Sequence, residues 1–128
     1  MKFEMWVPIK PIAKGRPRLS GNHTFTPKRT REFEEELRFS FELEVNNQKW
    51  ICDDSPIDAD IRFYFAHKKK TGLHTCRPDL DNLFKAVADA GNGILYNDDS
   101  QIYHASISKR YADIGVEGIN IILWKGSL

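Results

Sequence analysis

Ten residues held between a proline and two glycines, Asp81 to Ala90, leave this chain little choice of local structure. Pro78 disfavours helical geometry at Arg77, and the aspartates that follow it are strong N-cap residues, so a helix is expected to start near Asp81. Gly91 and Gly93 supply its stop. On a wheel of about 100° per residue, Leu83, Phe84, Ala86, Val87, Ala88 and Ala90 share one broad arc, while Asp81, Asn82, Lys85 and Asp89 take the other. A helix divided in this way needs an apolar surface to cover one face.

The polar arc carries the chemistry. Lys85 stands one turn beyond Asp81, about 5 to 6 Å away at Cβ. Asp79 lies two residues earlier in extended chain, where alternate side chains point the same way. Two carboxylates and an ammonium thus converge, and the apolar run Ile94-Leu95-Tyr96 is expected to return a second acidic pair, Asp98 and Asp99, alongside the helix start. Such a cluster suits Mg²⁺, which takes hard oxygen ligands and keeps several waters. Phosphoryl transfer needs that ion to polarise phosphate and acidify water, with a lysine offsetting charge on the phosphorus oxygens. The same residues also fit a plainer account, with Asp79 or Asp81 as an N-cap, Asp81 and Lys85 as a surface pair worth about 0.3 to 0.5 kcal/mol, and Asp98-Asp99-Ser100 as a turn. An EF-hand loop is excluded, because its sixth-position glycine is missing.

Residues 77 to 102 resemble the signature of the RusA family of Holliday junction resolvases, particularly its phage-type members. The Pro78-Asp79-Leu80-Asp81-Asn82-Leu83 run, Lys85, Asn92-Gly93 and Asp98-Asp99-Ser100-Gln101 follow in the family's order and spacing. The resemblance implies that Asp79, Asp81 and Asp99 bind Mg²⁺, with Mn²⁺ able to substitute, and that these aspartates and Lys85 are catalytic. It also implies a homodimer that nicks opposing strands of a four-way DNA junction symmetrically.

Charge is nearly balanced overall at +1 but sharply segregated. Residues 1–31 sum to +7 and residues 61–77 to +5, whereas residues 32–60 sum to −8 and residues 78–113 to −3. A basic block therefore directly precedes the acidic stretch of the site, and a second lies near the start of the chain, as expected where phosphates are held against metal-binding carboxylates. Lys14, Arg16, Arg18, Lys28, Arg29, Lys68, Lys69, Lys70 and Arg77 are the candidate phosphate contacts, and solvated loops are the alternative. Cys52 and Cys76 form no Cys-x-x-Cys pattern and read as reduced thiols. His67 and His74 suit phosphate rather than the metal, whose hard oxygen ligands already dominate.

At 128 residues the chain is expected to form a single domain, 1–128, large enough to bury roughly two-thirds of its unfolded surface. Without a signal peptide or a long apolar run it reads as cytoplasmic, associated with the nucleoid, neither secreted nor membrane-bound. Residues 2–9 alternate as a strand ending at an edge, and Lys14–Arg18 reads as irregular basic chain. Residues 30–45 read as a helix with Thr30 as N-cap and Phe33, Leu37, Phe41 and Val45 on one face, ended by Asn46-Asn47. Strands follow over 58–66, 101–111 and 119–124, the last two as a closing pair joined by residues 113–118. The fold class is α+β, a mixed β-sheet packed with two principal helices. The leading reading is a metal-dependent, structure-selective endonuclease for four-way junctions. Its rivals are a non-catalytic architectural protein that binds branched DNA and a hydrolase of small phosphate esters.

Overall fold

The computed structural model describes residues 1–15, 18–20, 23–25 and 27–127. Its centre is a five-stranded mixed sheet in the order β1-β7-β4-β6-β5, from β1 (Lys2–Val7), β4 (Ile57–Ala66), β5 (Gly72–Leu73), β6 (Ile102–Ala112) and β7 (Gly118–Lys125). A separate antiparallel pair joins β2 (Arg18–Ser20) to β3 (His23–Phe25). Arg18 therefore lies in a strand, where irregular chain was expected. Two helices, α1 (Lys28–Gln48) and α2 (Leu80–Ala90), complete the single α+β domain.

Strict alternation determines which side of the sheet is covered. Phe3, Met5 and Val7 of β1, Ile57 through Phe65 of β4 at every second residue, and Ile119, Ile121 and Leu123 of β7 are all buried. They meet Phe33, Leu37 and Phe41 of α1 and Leu83, Ala86, Val87 and Ala90 of α2 in one core. The opposite face is more open, with Trp6 packing edge-on to Tyr64 at 5.6 Å between ring centroids.

Helix α1 is longer than its apolar spacing predicts, and Thr30 does not cap it. Arg31 N donates to Pro27 O at 3.1 Å, so the helical ladder begins one turn earlier, with Pro27 at the N-cap position. Thr30 is buried, and its Oγ1 accepts from Gly15 N at 3.0 Å, which ties the 10–15 segment to the helix. Asn46 and Asn47 do not end α1 either. Helical structure reaches Gln48, and Lys49 turns off in the left-handed region at φ 55°. Gln48 then exchanges hydrogen bonds with the outward backbone of Glu4, at 3.2 and 2.9 Å, satisfying part of the free edge of β1.

The last two strands are not paired with each other, contrary to the expected closing pair. β4 lies between them, parallel to β6 and antiparallel to β7. β4 alternates between buried and half-buried residues over nearly its whole length, whereas residues 103–106 of β6 are all exposed. The strand with the most apolar inward face therefore takes the centre. The 113–117 connection needs to cross only two strand spacings, about 10 Å, well within its reach.

Candidate functional site

Asp79 occupies the N-cap position of α2 in extended geometry, but its side chain makes no capping hydrogen bond. Only its backbone oxygen serves the helix, accepting from Leu83 N at 3.1 Å. The Asp79 and Asp81 carboxylates are both exposed, and among the described residues neither is in an ion pair. The capping account of Asp79 therefore fails, and its charge is available. The preceding turn is held by Lys109, whose Nζ donates to Cys76 O and, at 2.7 Å, to Pro78 O. The Arg77–Pro78 peptide is cis. Asp79, Asn82, Ala13, Arg77 and Pro78 line an open depression of about 380 Å³.

Lys85 reaches along the helix in the opposite direction from that expected. Its Nζ lies 3.7 Å from Asp89 Oδ2, one turn onward, rather than pairing with Asp81. Asp89 is the carboxylate that the sequence reading left out. It lies 3.3 Å from Lys14 Nζ, which also pairs with Glu34 of α1. Burial works against the Lys14 ammonium, yet its bonds to Glu34 and Asp89 outweigh that and raise its pKa above the ordinary value. Lys14 is thus a half-buried strut between the helices, not a free phosphate contact.

Asp99 comes to rest beside Asp89, at the far end of α2 from Asp79 and Asp81. Ile94, Leu95 and Tyr96 fold as a buried turn that keeps residue 99 close to where the helix ends. Gly93, at φ 79°, donates to Tyr96 O at 2.7 Å, and Tyr96 Oη donates back to Ala88 O at 2.7 Å. Trp50 Nε1 donates to Leu95 O at 2.7 Å, and Arg38 of α1 donates to Ala90 O and Asn92 O at 3.1 and 2.8 Å. Gly91 has no room for a side chain, since a Cβ would lie 2.7 Å from Tyr96 Oη. Asn92 Nδ2 then donates to Asp99 Oδ2 at 3.5 Å, while Asn92 Oδ1 is buried without a partner among the described residues. Partial burial, and then the neighbouring Asp89 carboxylate, push the Asp99 carboxyl above its usual range.

The Asp98 carboxylate is engaged elsewhere. It accepts from Ser100 N at 2.9 Å in a capping box with Gln101, opening a single 3₁₀ turn, and that bond lowers its pKa. The turn reading of Asp98 is therefore correct.

The polar stripe of α2 thus runs from Asp79 and Asp81 through Lys85 to Asp89 and Asp99, across two helical turns or about 12 Å. Among the described residues, no three His, Cys, Asp or Glu side chains gather closely enough to enclose a cation. The donors are nonetheless hard oxygens, of the kind Mg²⁺ accepts through one or two carboxylates while keeping its waters. A second groove, about 330 Å³, runs between Lys85, Asp89 and Asp99 on one side and Tyr103, His104 and Ala105 of β6 on the other.

Most of the candidate phosphate contacts remain at the surface. Lys28 is exposed and lies 3.7 Å from Glu32, and Arg29 is exposed beside it. Lys68, Lys69 and Lys70 project from the exposed loop after β4, and Lys70 Nζ stands 5.8 Å from the Tyr111 ring centroid. Arg77 is exposed next to Asp79. Arg16 lies outside the described residues, and only the backbone of Arg18 is described. His74 is buried rather than poised for phosphate.

No helix among the described residues is long and apolar enough to cross a membrane. The chain is 28% identical over 122 residues, covering 81% of this chain and 84% of the relative, to a Bacillus subtilis (strain 168) protein named only "Uncharacterized protein YqaN". The family model described as Endodeoxyribonuclease RusA matches residues 8–122, nearly the whole chain and every acidic residue of the α2 stripe. The chain belongs to the RusA endodeoxyribonuclease family.

Proposed function

We propose that this protein is a divalent-metal-dependent endonuclease that resolves four-way DNA junctions by paired nicks. The observation that carries this reading is the Asp79 carboxylate, which stands at the N-terminus of α2, free of any capping bond, with Asp81 and exposed Arg77 beside it. Mg²⁺, or Mn²⁺ in its place, supplies a polarised phosphate and a water of lowered pKa when bound. Asp79 and Asp81 hold the ion through carboxylate oxygens. Arg77 orients the phosphate, and Lys85 offsets charge on its oxygens as the bond to the leaving oxygen breaks. Arg29, Lys28 and Lys68–Lys70 hold the DNA arms by phosphate contact, which positions without reading sequence.

The third carboxylate, Asp99, is supplied across a homodimer. Supporting this, β6 pairs with β5 only at Arg110 and Tyr111, so its outer edge over 102–109 has no strand partner among the described residues. Such an edge is a template for another chain. It borders the groove that holds Asp99.

A second reading, a protein that binds branched DNA without cutting it, is favoured by the absence of three converging ligands among the described residues. Incubating a synthetic four-way junction with the protein, with and without Mg²⁺, tests the proposal. Symmetric nicks that need the metal and vanish in Asp79→Asn support it, whereas retained binding with no nicks under Mg²⁺ or Mn²⁺ leaves the architectural reading.

A further inference from the structure

One concavity among the described residues stands apart from the two that flank the acidic stripe. It encloses about 690 Å³ where the 10–15 segment, the start of α1 and the Arg77-Pro78 turn meet, a volume typical of small-ligand sites. Its floor is apolar, built from Ile12, Pro27, Phe65 and Pro78. Phe65 is backed by His74 at 4.6 Å between ring centroids, and His74 stacks on Tyr111 at 4.5 Å, so the floor rests on a packed aromatic column. Gly15 forms part of the wall, and a Cβ there would lie 2.7 Å from Thr30 Oγ1 and 3.1 Å from Pro27 Cγ.

The rim is cationic. Lys10, Arg29 and Arg77 line it and are exposed, none is in an ion pair among the described residues, and no acidic side chain lines the cavity among them. An apolar floor under a cationic rim complements a nucleotide, whose base has two flat faces and whose phosphates are anionic. Position narrows the occupant further. Ala13, Arg77 and Pro78 also line the depression that holds Asp79, so the two concavities adjoin. Bases in an intact duplex stay paired and stacked, and only an unpaired or extruded nucleotide can enter a pocket of this kind.

We propose that this cavity is a subsite for one unpaired nucleotide of the cleaved strand, seated beside the phosphate presented to Asp79, and that it selects branched or interrupted DNA over intact duplex. The inference rests on the nuclease reading for the phosphate at Asp79. Ile12, Pro27 and Phe65 contact the base without reading its edges, while Arg29 and Arg77 hold its flanking phosphates.

The test uses the full-length Asp79→Asn protein in EDTA, so that the DNA stays intact, with a four-way junction carrying the fluorescent base 2-aminopurine at each position near the crossover in turn. One position is expected to brighten several-fold on binding, and the same probe in fully paired duplex is not. Adding Ile12→Trp, which fills the floor, or Arg29→Ala, an exposed change that leaves the core intact, is expected to lower the junction-over-duplex affinity ratio about ten-fold. The proposal is overturned if no position brightens, or if both variants keep the full ratio. Nicking by the unsubstituted protein in Mg²⁺ separates the two ideas. Nicks without any brightening sink the subsite alone, and brightening without nicks sinks the nuclease reading while leaving a pocket for unpaired DNA.

Discussion

Asp79 and Asp81 are the residues at which binding and cutting should part company. Replacing either with Asn keeps size but removes a negative charge, so metal affinity falls and repulsion of DNA phosphate falls with it. Junction binding in EDTA is therefore expected to persist or tighten while nicking in Mg²⁺ disappears, measured by gel shift and by strand scission. Full nicking in both variants would refute the ligand assignment. Lys85→Ala is expected to slow nicking by about 10² to 10³, the usual cost of one lost transition-state donor, with little change in thermal stability because the side chain is exposed. A rate within two-fold of normal would reduce Lys85 to a surface partner of Asp89. His74 shows a different residue-scale effect. Burial, and then the nearby Lys109 and Lys70 charges, hold its imidazole below the ordinary 6.5. As pH falls below 6.5 the unfolded chain takes up a proton that the folded one resists, so stability is lost through that window. His74→Phe keeps the contacts with Phe65 and Tyr111 and removes the titration. Urea unfolding between pH 7.5 and 5 should then flatten by up to about 1.4 kcal/mol per pH unit.

At the scale of elements, the sharpest feature is the turn that follows α2. Tyr96→Phe deletes the bond to Ala88 O, leaving that carbonyl only the 3.2 Å bond from Gly91 N, and is expected to cost about 0.5 to 1.5 kcal/mol in chemical denaturation. A neutral result would show that the Gly91 N bond alone satisfies this carbonyl. Much of the element level was readable in advance. The period of two read over residues 2–9 and 58–66, and the four-residue apolar spacing of Phe33, Leu37 and Phe41, encode burial of one face and need no distant partner to be seen, and only the strand ends shifted, to Lys2–Val7 and Ile57–Ala66. The ends of α1 were less legible, because Thr30 has the right chemistry for a cap but is drawn inward by Gly15 N, fifteen residues away in sequence. The β2 and β3 pair gave little signal, since three-residue strands are too short for a period to register.

For the whole molecule, the decisive question is whether the carboxylates of one site come from one chain or two. Asp79→Asn and Asp99→Asn should each abolish nicking alone. If each site is shared across the dimer, mixing the two variants rebuilds one intact site in every heterodimer and restores about a quarter of the wild-type rate. If each site lies within one chain, the mixture stays inactive and the shared arrangement is refuted. The sequence alone determined the amphipathic division of α2, the three inward-facing strand patterns and the acidic run that follows a basic block, because each depends on residues within a few positions of one another. The tertiary structure decided which carboxylates meet. Asp99 reaches Asp89 because bonds from Trp50 and Arg38 to Leu95, Ala90 and Asn92, spanning 45 to 54 residues, fix the turn after α2. It also decided that β4 separates the last two strands, since a central position goes to the strand with the most apolar surface to bury, a comparison no single segment contains.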